Sequence, residues 1–482
     1  MTQLNLILNG VQILNTVGSI EREINQIHFD SRKVSKNDLF FAVKGTTSDG
    51  HKFIDSVIEQ GAITIICENL PQTINENITY IVVEDTSYAV GKVASNFYNN
   101  PSSKMKLIGA TGTNGKTSTV RLSHQLFRKL GFNVGLLSTV NNKINDEIIP
   151  STHTTPDAIQ LNELLNKMVD ANCEYCFMEV SSHSIHQNRI AGLQFSGVVF
   201  TNITHDHLDY HKTFEEYFRV KKSFIDNLSA NSFVLTNIDD PKGNEIVKNS
   251  NAKIYTLSTQ VDANFTSKII SSNLSGLTIE IEKTPIQLKL LGTFNAYNSL
   301  SVYAIAVCLG IGKSNILDLL PTLDPIIGRF NFISHKNIIG IVDFAHSPDA
   351  LTNILQNIRS LNPRKIITVL GCGGDRDKEK RPIMGKILLE LSDVKYLTSD
   401  NPRSEDPMKI IEEMVPNLDS LEQVEVHFGI NREKSIKYAV SEAKEGDVIL
   451  VAGKGHETYQ EIQGVKYPFD DMEILKKYLF QK

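Results

Sequence analysis

The sequence predicts an α/β protein of several domains, of which the central and C-terminal ones are built on mainly parallel sheets. The chain has 482 residues, and at about 100–200 residues per domain this length suggests about three domains. After about residue 100, β-type runs such as "GVVFTNI" alternate with helix-type stretches such as "FEEYFRVKKSFIDNL". This alternation is typical of βαβ units. Several of the β-type runs also end in glycine-rich or polar residues, which suggests ligand-binding loops.

The composition is that of an ordinary globular protein. Hydrophobic residues make up 41% and charged residues 22%, and the formal net charge is −6. This charge gives no broad attraction for nucleic acid or an anionic bilayer, but a local basic cleft can still bind a small anion. The N-terminus lacks a basic region and a cleavage site, and no stretch approaches about 18 uninterrupted apolar residues. We therefore expect a cytoplasmic protein without a membrane span.

The five cysteines do not resemble a disulfide framework. Their number is odd and they are scattered over a long chain, so we expect reduced thiols. The pair in "CEYC" (Cys173 and Cys176) has the spacing of a redox motif, but no second pair accompanies it. It overlaps the strand-like "CFMEV", which favours packing over a redox or zinc function.

Two turn-rich stretches mark the predicted domain boundaries. "FYNNPSSKMK" at residues 97–106 has the Pro, Ser and Asn content of a linker, and "TLDPIIGRF" marks the second boundary. The predicted domains are 1–100, 101–326 and 327–482. In the last domain, four strand-like runs end in polar loops: "IIGIVDFAH", "IITVLGCGGDRD", "VKYLTSDNPR" and "GDVILVAGKGHE". In an open parallel sheet these loops share one edge, where ligands bind.

A phosphate-binding loop is predicted in "LIGATGTNGKTSTVRL", residues 107–122. A glycine-rich turn between a strand and a helix directs backbone N–H groups at an anion, a lysine reaches the terminal phosphates, and a Thr hydroxyl meets Mg²⁺. Gly112, Gly115, Lys116 and Thr117 fit these roles. The usual pattern requires a glycine where this chain has Ala110, so the loop is a variant. The flanking strand and helix favour nucleotide binding over a structural turn.

The form "TGTNGKT" resembles the loop of the Mur ligases and of their relative folylpolyglutamate synthetase, which are ATP-dependent amide-forming ligases. Further segments look like the Mur ligases that add the third peptide residue to UDP-N-acetylmuramoyl-L-alanyl-D-glutamate. These are "FDSRKV", "LFFAVKG", "DGHKFI", "THTTPD", "MEVSSHSIHQNRIAG", "TNITHDHLDYH", "GTFNAYN", "GRF", "VDFAHSPDAL", "TSDNPRSEDP" and "AGKGHETYQ". The resemblance covers nearly the whole chain. It implies an N-terminal UDP-binding domain, a central ATPase domain and a C-terminal Rossmann-like domain.

The resemblance also implies a chemistry for the central domain. A carboxylate is a poor acyl donor, so ATP must convert it to an acyl phosphate, with Lys116 and Mg²⁺ neutralising the phosphate charge. The family pattern assigns Glu179, at the end of "CFMEV", and His207, in "HDHLDYH", to Mg²⁺. On residue types alone, Glu179 could be a solvated or capping side chain, and the histidines of "HDHLDYH" could suggest zinc. We favour Mg²⁺, which prefers oxygen ligands and accompanies phosphate.

Lys221 has the least obvious predicted role. Similar ligases hold a lysine at this position carbamylated by carbon dioxide, so that it ligates a second Mg²⁺. That chemistry requires a neutral and therefore desolvated amine. On composition alone, an exposed helix lysine is the simpler interpretation.

The resemblance assigns two further groups of residues. Those expected to bind the UDP-substrate are Ser31, Thr46, Thr47, Ser48, Thr154, Thr155, Ser181, Gln187 and Arg189. Those expected to bind ATP are Gly112, Thr113, Asn114, Gly115, Lys116, Thr117, Asn298, Arg329, Asp343 and His346. The resemblance has Asp343 and His346 approach the ATP site from the last domain. A site shared between domains implies closure on ATP, which also keeps water from the acyl phosphate.

The attacking amine is predicted from "DNPR" and its neighbours. The resemblance places Arg376, Asp400, Asn401, Pro402, Arg403, Gly453 and Glu457 in an amino-acid pocket. Arg403 suits a carboxylate, and meso-2,6-diaminopimelate has a distal carboxylate that lysine lacks. The prediction is therefore diaminopimelate, with lysine or lanthionine as alternatives. Two rivals are a folylpolyglutamate synthetase, which has no use for a UDP-binding domain, and a non-catalytic ATP-binding switch. We expect a monomer without a nucleic-acid partner.

Overall fold

The computed structural model of the protein describes residues 1–45, 48–415 and 426–482. The chain divides into two compact units. Unit 1 consists of Met1–Ile203, His207–Leu257 and Ala304–Leu309, and unit 2 consists of Thr204–Asp206, Ser258–Tyr303 and Gly310–Lys482. Both units contain parallel-rich sheets covered by helices, so the predicted α/β class is confirmed.

Unit 1 contains two main sheets. Its strands are β1 (Thr2–Gln3), β2 (Ile13–Val17), β3 (Glu23–Ile24), β4 (Ile27–His28), β5 (Leu39–Phe41), β6 (Thr64–Cys67), β7 (Thr79–Val83), β8 (Lys106–Thr111), β9 (Val134–Leu137), β10 (Asn142–Ile144), β11 (Glu147–Ile149), β12 (Tyr175–Glu179), β13 (Gly197–Phe200), β14 (Phe233–Asn237) and β15 (Lys253–Ser258). The N-terminal sheet has the order β2-β7-β6-β5-β4, and only its β2–β7 pair is antiparallel.

The helices of unit 1 connect and cover these strands. They are α1 (Leu4–Ile7), α2 (Ile54–Glu59), α3 (Thr86–Phe97), α4 (Lys116–Lys129), α5 (Ala158–Asp170), α6 (Ser182–His186), α7 (Leu208–His211), α8 (Phe214–Asp226) and α9 (Gly243–Ile246). Short 3₁₀ helices occupy Ser31–Lys33, Gly50–Phe53 and Pro101–Lys104. Side chains cap the starts of two of the longer helices: Asp157 accepts from two N–H groups of α5, and Thr213 accepts from one of α8.

The central sheet of unit 1 runs in the order β11-β10-β9-β12-β8-β13-β14-β15. The six neighbouring strands β9, β12, β8, β13, β14 and β15 are all parallel. Strands β10 and β11 extend the sheet beyond β9 as an antiparallel hairpin. A buried core on this sheet includes Cys173 and Cys176. Both cysteines of "CEYC" are thus packing residues, as predicted, and burial raises the pKa of the Cys173 thiol to about 11.

Unit 2 contains a three-stranded and a six-stranded sheet and a hairpin. Its strands are β16 (Phe265–Thr266), β17 (Lys268–Asn273), β18 (Gly276–Ile281), β19 (Thr284–Leu288), β20 (Asn331–His335), β21 (Ile338–Asp343), β22 (Ile366–Leu370), β23 (Val394–Thr398), β24 (Val426–Gly429), β25 (Val448–Ala452), β26 (Tyr459–Ile462) and β27 (Val465–Pro468). The remaining helices are α10 (Phe294–Cys308), α11 (Lys313–Leu319), α12 (Pro348–Ser360), α13 (Lys380–Leu391), α14 (Pro407–Met414), α15 (Arg432–Glu442) and α16 (Asp471–Leu479), with a 3₁₀ turn at Leu320–Thr322.

The six-stranded sheet has the order β20-β21-β25-β22-β23-β24. Only the β20–β21 pair is antiparallel, so β21, β25, β22 and β23 are adjacent and parallel. Their carboxyl ends therefore lie along one edge, and the prediction that the four polar loops share an edge is confirmed. Buried apolar cores lie on this sheet. Among the helices that the structure describes, none combines the length and apolar character needed to cross a bilayer.

Candidate active site

Four adjacent strands of the central sheet end at the glycine-rich loop. The order β9-β12-β8-β13 brings together Thr139 after β9, Glu179 at the end of β12, residues 112–115 after β8, and Thr201 after β13. These strands are parallel, so their carboxyl ends meet at one edge. The sheet order thus gathers side chains from four separate segments.

The glycine-rich loop is held from the β13 side. The N–H of Thr113 donates to the carbonyl of Asn202 (2.8 Å), and the N–H of Asn114 donates to the side-chain oxygen of Asn202 (2.9 Å). Gly112 has a φ of +143°, and a Cβ there would lie 2.0 Å from Oγ1 of Thr201. Only glycine satisfies both the backbone angle and this close approach.

The first turn of α4 is arranged to receive an anion. Its N-cap is Gly115, with a φ of +88° and no side-chain cap, so no capping side chain occupies the N–H groups of the first turn. Lys116 Nζ donates to the carbonyls of Gly112 (2.9 Å) and Thr113 (2.7 Å). The lysine is therefore folded over the loop, with its charge at the mouth of the site.

Buried oxygen atoms meet next to the loop. Thr117 Oγ1 donates to Glu179 Oε2 at 2.9 Å, and Thr139 donates to the same carboxylate through its N–H (2.8 Å) and its hydroxyl (3.1 Å). Glu179 is only 1% exposed. Hydroxyl and carboxylate oxygens are the donors that Mg²⁺ prefers, so Thr117 and Glu179 fit a magnesium ion chemically.

Lys221 lies against the other side of the same loop. Its side chain is 1% exposed, and Nζ donates to the carbonyl of Gly112 at 2.9 Å. The ammonium also lies 4.7 Å from the ring centre of Tyr217, whose hydroxyl is 3.1 Å from Thr113 Oγ1. The simpler interpretation of an exposed helix lysine is therefore wrong for Lys221, although its carbamylation stays a prediction.

His207 lies in an aromatic cluster beside these residues. Its ring is 4.8 Å from that of His183 and 6.2 Å from that of Tyr217, and its φ is +55°. Within residues 1–45, 48–415 and 426–482, no group of three or more His, Cys, Asp or Glu side chains is arranged to hold a metal ion. The assignment of His207 to magnesium stays a prediction.

The residues predicted for the UDP-substrate form a connected network next to Glu179. Thr155 Oγ1 donates to the carbonyl of Glu179 (2.8 Å), and the N–H of Ser181 donates to Thr155 Oγ1 (3.2 Å). Arg189 donates to the carbonyl of Thr155 (2.9 Å) and, through Nε and Nη2, to Gln187 Oε1 (3.0 and 2.7 Å). The network extends to the site through Thr154, whose hydroxyl oxygen lies 3.1 Å from that of Thr139. Because the Thr139 hydroxyl donates its one proton to Glu179, Thr154 is the donor in this contact.

The UDP-substrate prediction also includes residues of the N-terminal sheet region, namely Ser31 and those at 46–48. Ser31 begins a 3₁₀ turn capped by Asp30. The N–H of Gly45 donates to the carbonyl of exposed Ser48 at 2.9 Å. Thr46 and Thr47 lie outside the described residues. Within the described chain, no hydrogen bond joins Ser31 or Ser48 to the network around Arg189.

Unit 2 holds the other residues predicted to bind ATP. Asn298 is buried and donates to Asn295 Oδ1 at 2.8 Å. The guanidinium of Arg329 lies 4.9 Å from the ring centre of Phe344, and its buried Nε lacks a hydrogen-bond partner among the described residues. Asp343 accepts from the N–H of Phe330 (2.6 Å), and burial raises the pKa of its carboxyl. His346 lies 2.8 Å from the carbonyl of Phe344.

The predicted amino-acid pocket forms where β22, β23 and β25 end. Arg403, with a φ of +50°, donates from Nη1 to the carbonyl of Gly374 (2.6 Å), and its Nε is 3.5 Å from Glu461. Gly374 packs so closely on Pro402 that a Cβ there would lie 2.0 Å from the Pro402 carbonyl oxygen. The loops after β22 and β23 are thus fitted to each other.

The remaining pocket residues are joined by polar contacts. Asn401 Nδ2 donates to Glu457 Oε2 at 2.8 Å. Gly453, with a φ of +112°, lies against the Asp400 carboxyl, and a Cβ there would be 2.6 Å from Oδ2. Burial raises the pKa of Asp400. Arg376 lies in the loop after β22 and is exposed.

Three family models match the chain in order. They are the Mur ligase family catalytic domain (residues 23–98), the Mur ligase middle domain (110–306) and the glutamate ligase domain of the Mur ligases (328–455). A relative from Cytophaga hutchinsonii, named UDP-N-acetylmuramoyl-L-alanyl-D-glutamate--2,6-diaminopimelate ligase, is 52% identical over 480 residues, which are 99% of each chain. The chain belongs to the Mur ligase family.

Solved structures agree with this membership of the Mur ligases. A structure of a UDP-N-acetylmuramoyl-L-alanyl-D-glutamate--2,6-diaminopimelate ligase has a TM-score of 0.71 and 28% identity, and covers 100% of this chain and 99% of its own. A MurF ligase from Thermotoga maritima, solved in complex with ADP, has a TM-score of 0.61 at 20% identity and covers 95% of this chain and 97% of its own. This second likeness concerns the fold. The predicted family and fold class are confirmed, and the predicted ligase reaction agrees with the names of the relatives.

The sequence interpretation missed several residues that this Mur ligase places in or behind its site. Tyr210 accepts from Gln187 Nε2 (3.0 Å), Arg381 joins the loops after β22 and β23 through Glu405 (2.9 Å), and buried Lys454 contacts Asn401 (3.0 Å). Tyr210 and Lys454 lie inside quoted segments and Arg381 lies shortly after one, each at a position where a surface role is equally compatible with the residue type. Burial distinguishes Arg381 and Lys454, and the contact with Gln187 distinguishes Tyr210. Local sequence encodes neither property.

Proposed function

We propose that this Mur ligase uses ATP to join meso-2,6-diaminopimelate to the D-glutamate of UDP-N-acetylmuramoyl-L-alanyl-D-glutamate, as a cytoplasmic monomer in peptidoglycan precursor synthesis. The observation that carries the proposal is the convergence at Gly112: Lys116 and Lys221 both donate to its carbonyl, each at 2.9 Å. Thr117 and Glu179 lie beside the same loop. Two lysine side chains and a buried carboxylate thus surround one glycine-rich loop, which suits a site for phosphate and a metal ion in phosphoryl transfer.

In the first step, a carboxylate oxygen of the substrate bonds to the γ-phosphorus of ATP, and the bond to the ADP oxygen breaks. The products are an acyl phosphate and ADP. Lys116 needs only to move from the carbonyls of its own loop to a phosphate oxygen to neutralise developing charge. The N–H groups at the start of α4 hold the phosphates from behind.

Magnesium would be held by Thr117 and Glu179, and we propose His207 and carbamylated Lys221 as further ligands. When bound, Mg²⁺ supplies positive charge that offsets the charge of the transferring phosphate. Burial of Lys221 supports carbamylation, because it disfavours the ammonium form that cannot react with carbon dioxide. The neighbouring Tyr217 ring and Gly112 carbonyl fix the position of its nitrogen.

The UDP-substrate would be bound by the network around Arg189, together with Ser31 and the loop of residues 45–48. Gln187 engages Nε and Nη2 of Arg189, and the Thr155 carbonyl engages Nη1. These bonds fix the guanidinium and leave one N–H of Nη1 and one of Nη2 for a carboxylate or phosphate. Since Thr155 is bonded to the backbone of Glu179, the substrate site and the metal residues share one framework.

In the second step, the unprotonated amine of the amino acid attacks the acyl carbon, and the bond to phosphate breaks. The nitrogen loses a proton, which the departing phosphate takes up, and the products are the amide and inorganic phosphate. Arg403, Asn401 and Glu457 would bind the far end of the diamino acid, where a carboxylate meets Arg403 and an ammonium meets Glu457. A pocket built for those two groups rejects an analogue that lacks one of them.

Phosphate release with the UDP-MurNAc-dipeptide, ATP and one amino acid at a time tests the proposal. We expect release with diaminopimelate and much slower release with lysine, which lacks the distal carboxylate. Lanthionine carries both distal groups and is assayed beside them as the alternative substrate. Preference for lysine would overturn the amino-acid assignment but leave the ligase. Release that does not depend on the UDP-dipeptide would overturn the ligase assignment. Light scattering on the purified protein measures its molar mass and so tests the proposed monomeric state. Cell fractionation tests the proposed cytoplasmic location.

A further inference from the structure

A lysine with no assigned role lies fully buried behind the amino-acid pocket. Lys454 follows β25, and its side chain has no exposed surface. Its ammonium donates to Asn401 Oδ1 (3.0 Å) and Glu457 Oε2 (3.2 Å), and lies 3.6 Å from Asp400 Oδ1. A buried ammonium is retained only where such partners offset its desolvation. All three partners belong to the predicted pocket.

Lys454 fixes the orientation of the Asn401 amide. Asn401 Oδ1 accepts from Lys454 Nζ and also from the N–H of Glu461 at 2.9 Å. With two donors at the oxygen, the amide can present only its NH₂ group to Glu457, and Nδ2 donates to Oε2 at 2.8 Å. If the amide were flipped, its NH₂ group would face the two donors, Lys454 Nζ and the N–H of Glu461, and neither hydrogen bond could form.

The same ammonium orients the Glu457 carboxylate. Oε2 accepts from both Lys454 and Asn401. No donor meets Oε1 within the part of the chain that the structure describes. The N–H of Glu457 bonds to the carbonyl of Lys454 at 3.0 Å, so one tight turn holds both residues. One carboxylate oxygen is therefore anchored and the other remains available to a ligand.

The backbone before Lys454 is also fixed from behind. Arg432 and Asp471, both without exposed side-chain surface, form a bidentate ion pair at 2.8 Å. Arg432 Nη2 also donates to the carbonyl of Ala452 at 3.0 Å. This pair ties the end of β25 to the first residues of α15 and α16. Lys454 thus starts from a rigid position.

We propose that Lys454 is a positioning residue for the diamino-acid substrate: it holds Asn401 and Glu457 so that Glu457 Oε1 receives the ammonium at the far end of that substrate. This inference rests on the proposed function. It names a specificity-determining residue that acts through the pocket and does not touch the reacting atoms.

Charge and positioning predict opposite effects when Lys454 is replaced. Removing a cation beside Glu457 would by Coulomb attraction alone favour a cationic substrate, so the KM for diaminopimelate would fall. Loss of positioning frees the Asn401 amide and the Glu457 carboxylate, so this KM would rise. The sign of the change therefore separates the two roles.

The test compares Lys454→Met, which keeps an unbranched side chain, with Lys466→Met. Lys466 is the matched control because it is exposed and lies over the same Tyr459 ring, at 4.2 Å against 5.6 Å for Lys454. We expect Lys454→Met to raise the KM for diaminopimelate by about 10-fold or more, as for loss of an orienting partner. The KM values for ATP and the UDP-dipeptide should stay within about twofold, and Lys466→Met should leave all three unchanged.

A double-mutant cycle with Glu457→Gln provides the second readout. If Lys454 acts through Glu457, Lys454→Met adds much less to the KM in that background than alone. An unchanged or lowered KM for diaminopimelate, an equal rise in all three KM values, or full additivity would overturn the proposal. If Lys454→Met does not unfold cooperatively, Lys454→Gln replaces it under the same criteria. Turnover of the parent enzyme with diaminopimelate tests the proposed function separately.

Discussion

Thr117 and Glu179, which are 62 positions apart in the chain, are joined by a hydrogen bond of 2.9 Å between Oγ1 and Oε2. The contact links the first turn of α4 to the last residue of β12. Thr139 holds the same carboxylate from the end of β9. The oxygen atoms proposed to bind magnesium are therefore preassembled, which reduces the reorganisation needed when ATP binds.

Lys116→Ala should abolish acyl-phosphate formation and leave binding of the UDP-dipeptide largely intact. The lysine stabilises charge on the transferring phosphate, and loss of one such group costs about 10²-fold or more in rate. Calorimetric titration of the UDP-dipeptide and ADP release measure the two effects. Lys129→Ala, at the exposed end of the same helix, should behave like the parent. Normal turnover of Lys116→Ala would disprove the phosphate-loop assignment.

Lys221→Ala should be nearly inactive and should regain part of its activity with a short-chain carboxylic acid, which can occupy the place of the lost carbamate. Lys222→Ala is the matched control, because Lys222 is adjacent on α8 but forms an ion pair with Asp226 at 2.6 Å. That variant should stay active. ¹³C NMR of the parent enzyme in labelled bicarbonate should show a carbamate carbon that Lys221→Ala lacks. An active parent without this signal contradicts carbamylation.

Arg403→Ala should raise the KM for diaminopimelate by about 30-fold, since a charge-assisted contact with a carboxylate contributes about 2 kcal/mol. The KM for ATP should change little. Steady-state kinetics with diaminopimelate, lysine and lanthionine measure the effect. Arg359→Ala removes an arginine that is 46% exposed and pairs with Asp393, and its kinetics should match those of the parent. If Arg403→Ala loses no selectivity against lysine, the distal-carboxylate contact is wrong.

Glu405→Gln should destabilise the protein in a pH-dependent way. The hydrogen bonds from Arg381 hold the pKa of the Glu405 carboxyl at about 2, below its ordinary value of 4.5. Because the carboxyl titrates near 4.5 when unfolded, its contribution to stability is complete above that pH and declines as the pH falls toward 2. Urea unfolding at about pH 6 and about pH 3 should therefore show a larger deficit at the higher pH.

Glu412→Gln is the control for this prediction, because Glu412 is exposed on α14. It should show little deficit at either pH. A deficit of Glu405→Gln that is equal at both pH values would mean that the ion pair with Arg381 does not set the pKa of Glu405.

The sequence by itself determined the class of fold and the positions of most loops that form the site. Alternation of β-type and helical runs encodes βαβ units, and glycine-rich or polar residues after a buried run mark strand ends. The glycine-rich loop before α4 and the four loops that share an edge in unit 2 were predictable for this reason. Local periodicity and turn chemistry are properties of neighbouring residues, so they can be predicted from the sequence.

Only the tertiary structure decided which of those segments meet. The order β9-β12-β8-β13 places Thr139 and Glu179 beside the loop after β8, and no local pattern encodes strand order. The burial of individual side chains also could not be predicted from the sequence. Lys221 and Lys222 are adjacent, yet only Lys221 is fully buried. Lys454 could equally have been a surface lysine. Burial depends on what packs against a side chain from distant parts of the chain, and those contacts form only when the sheets and helices assemble.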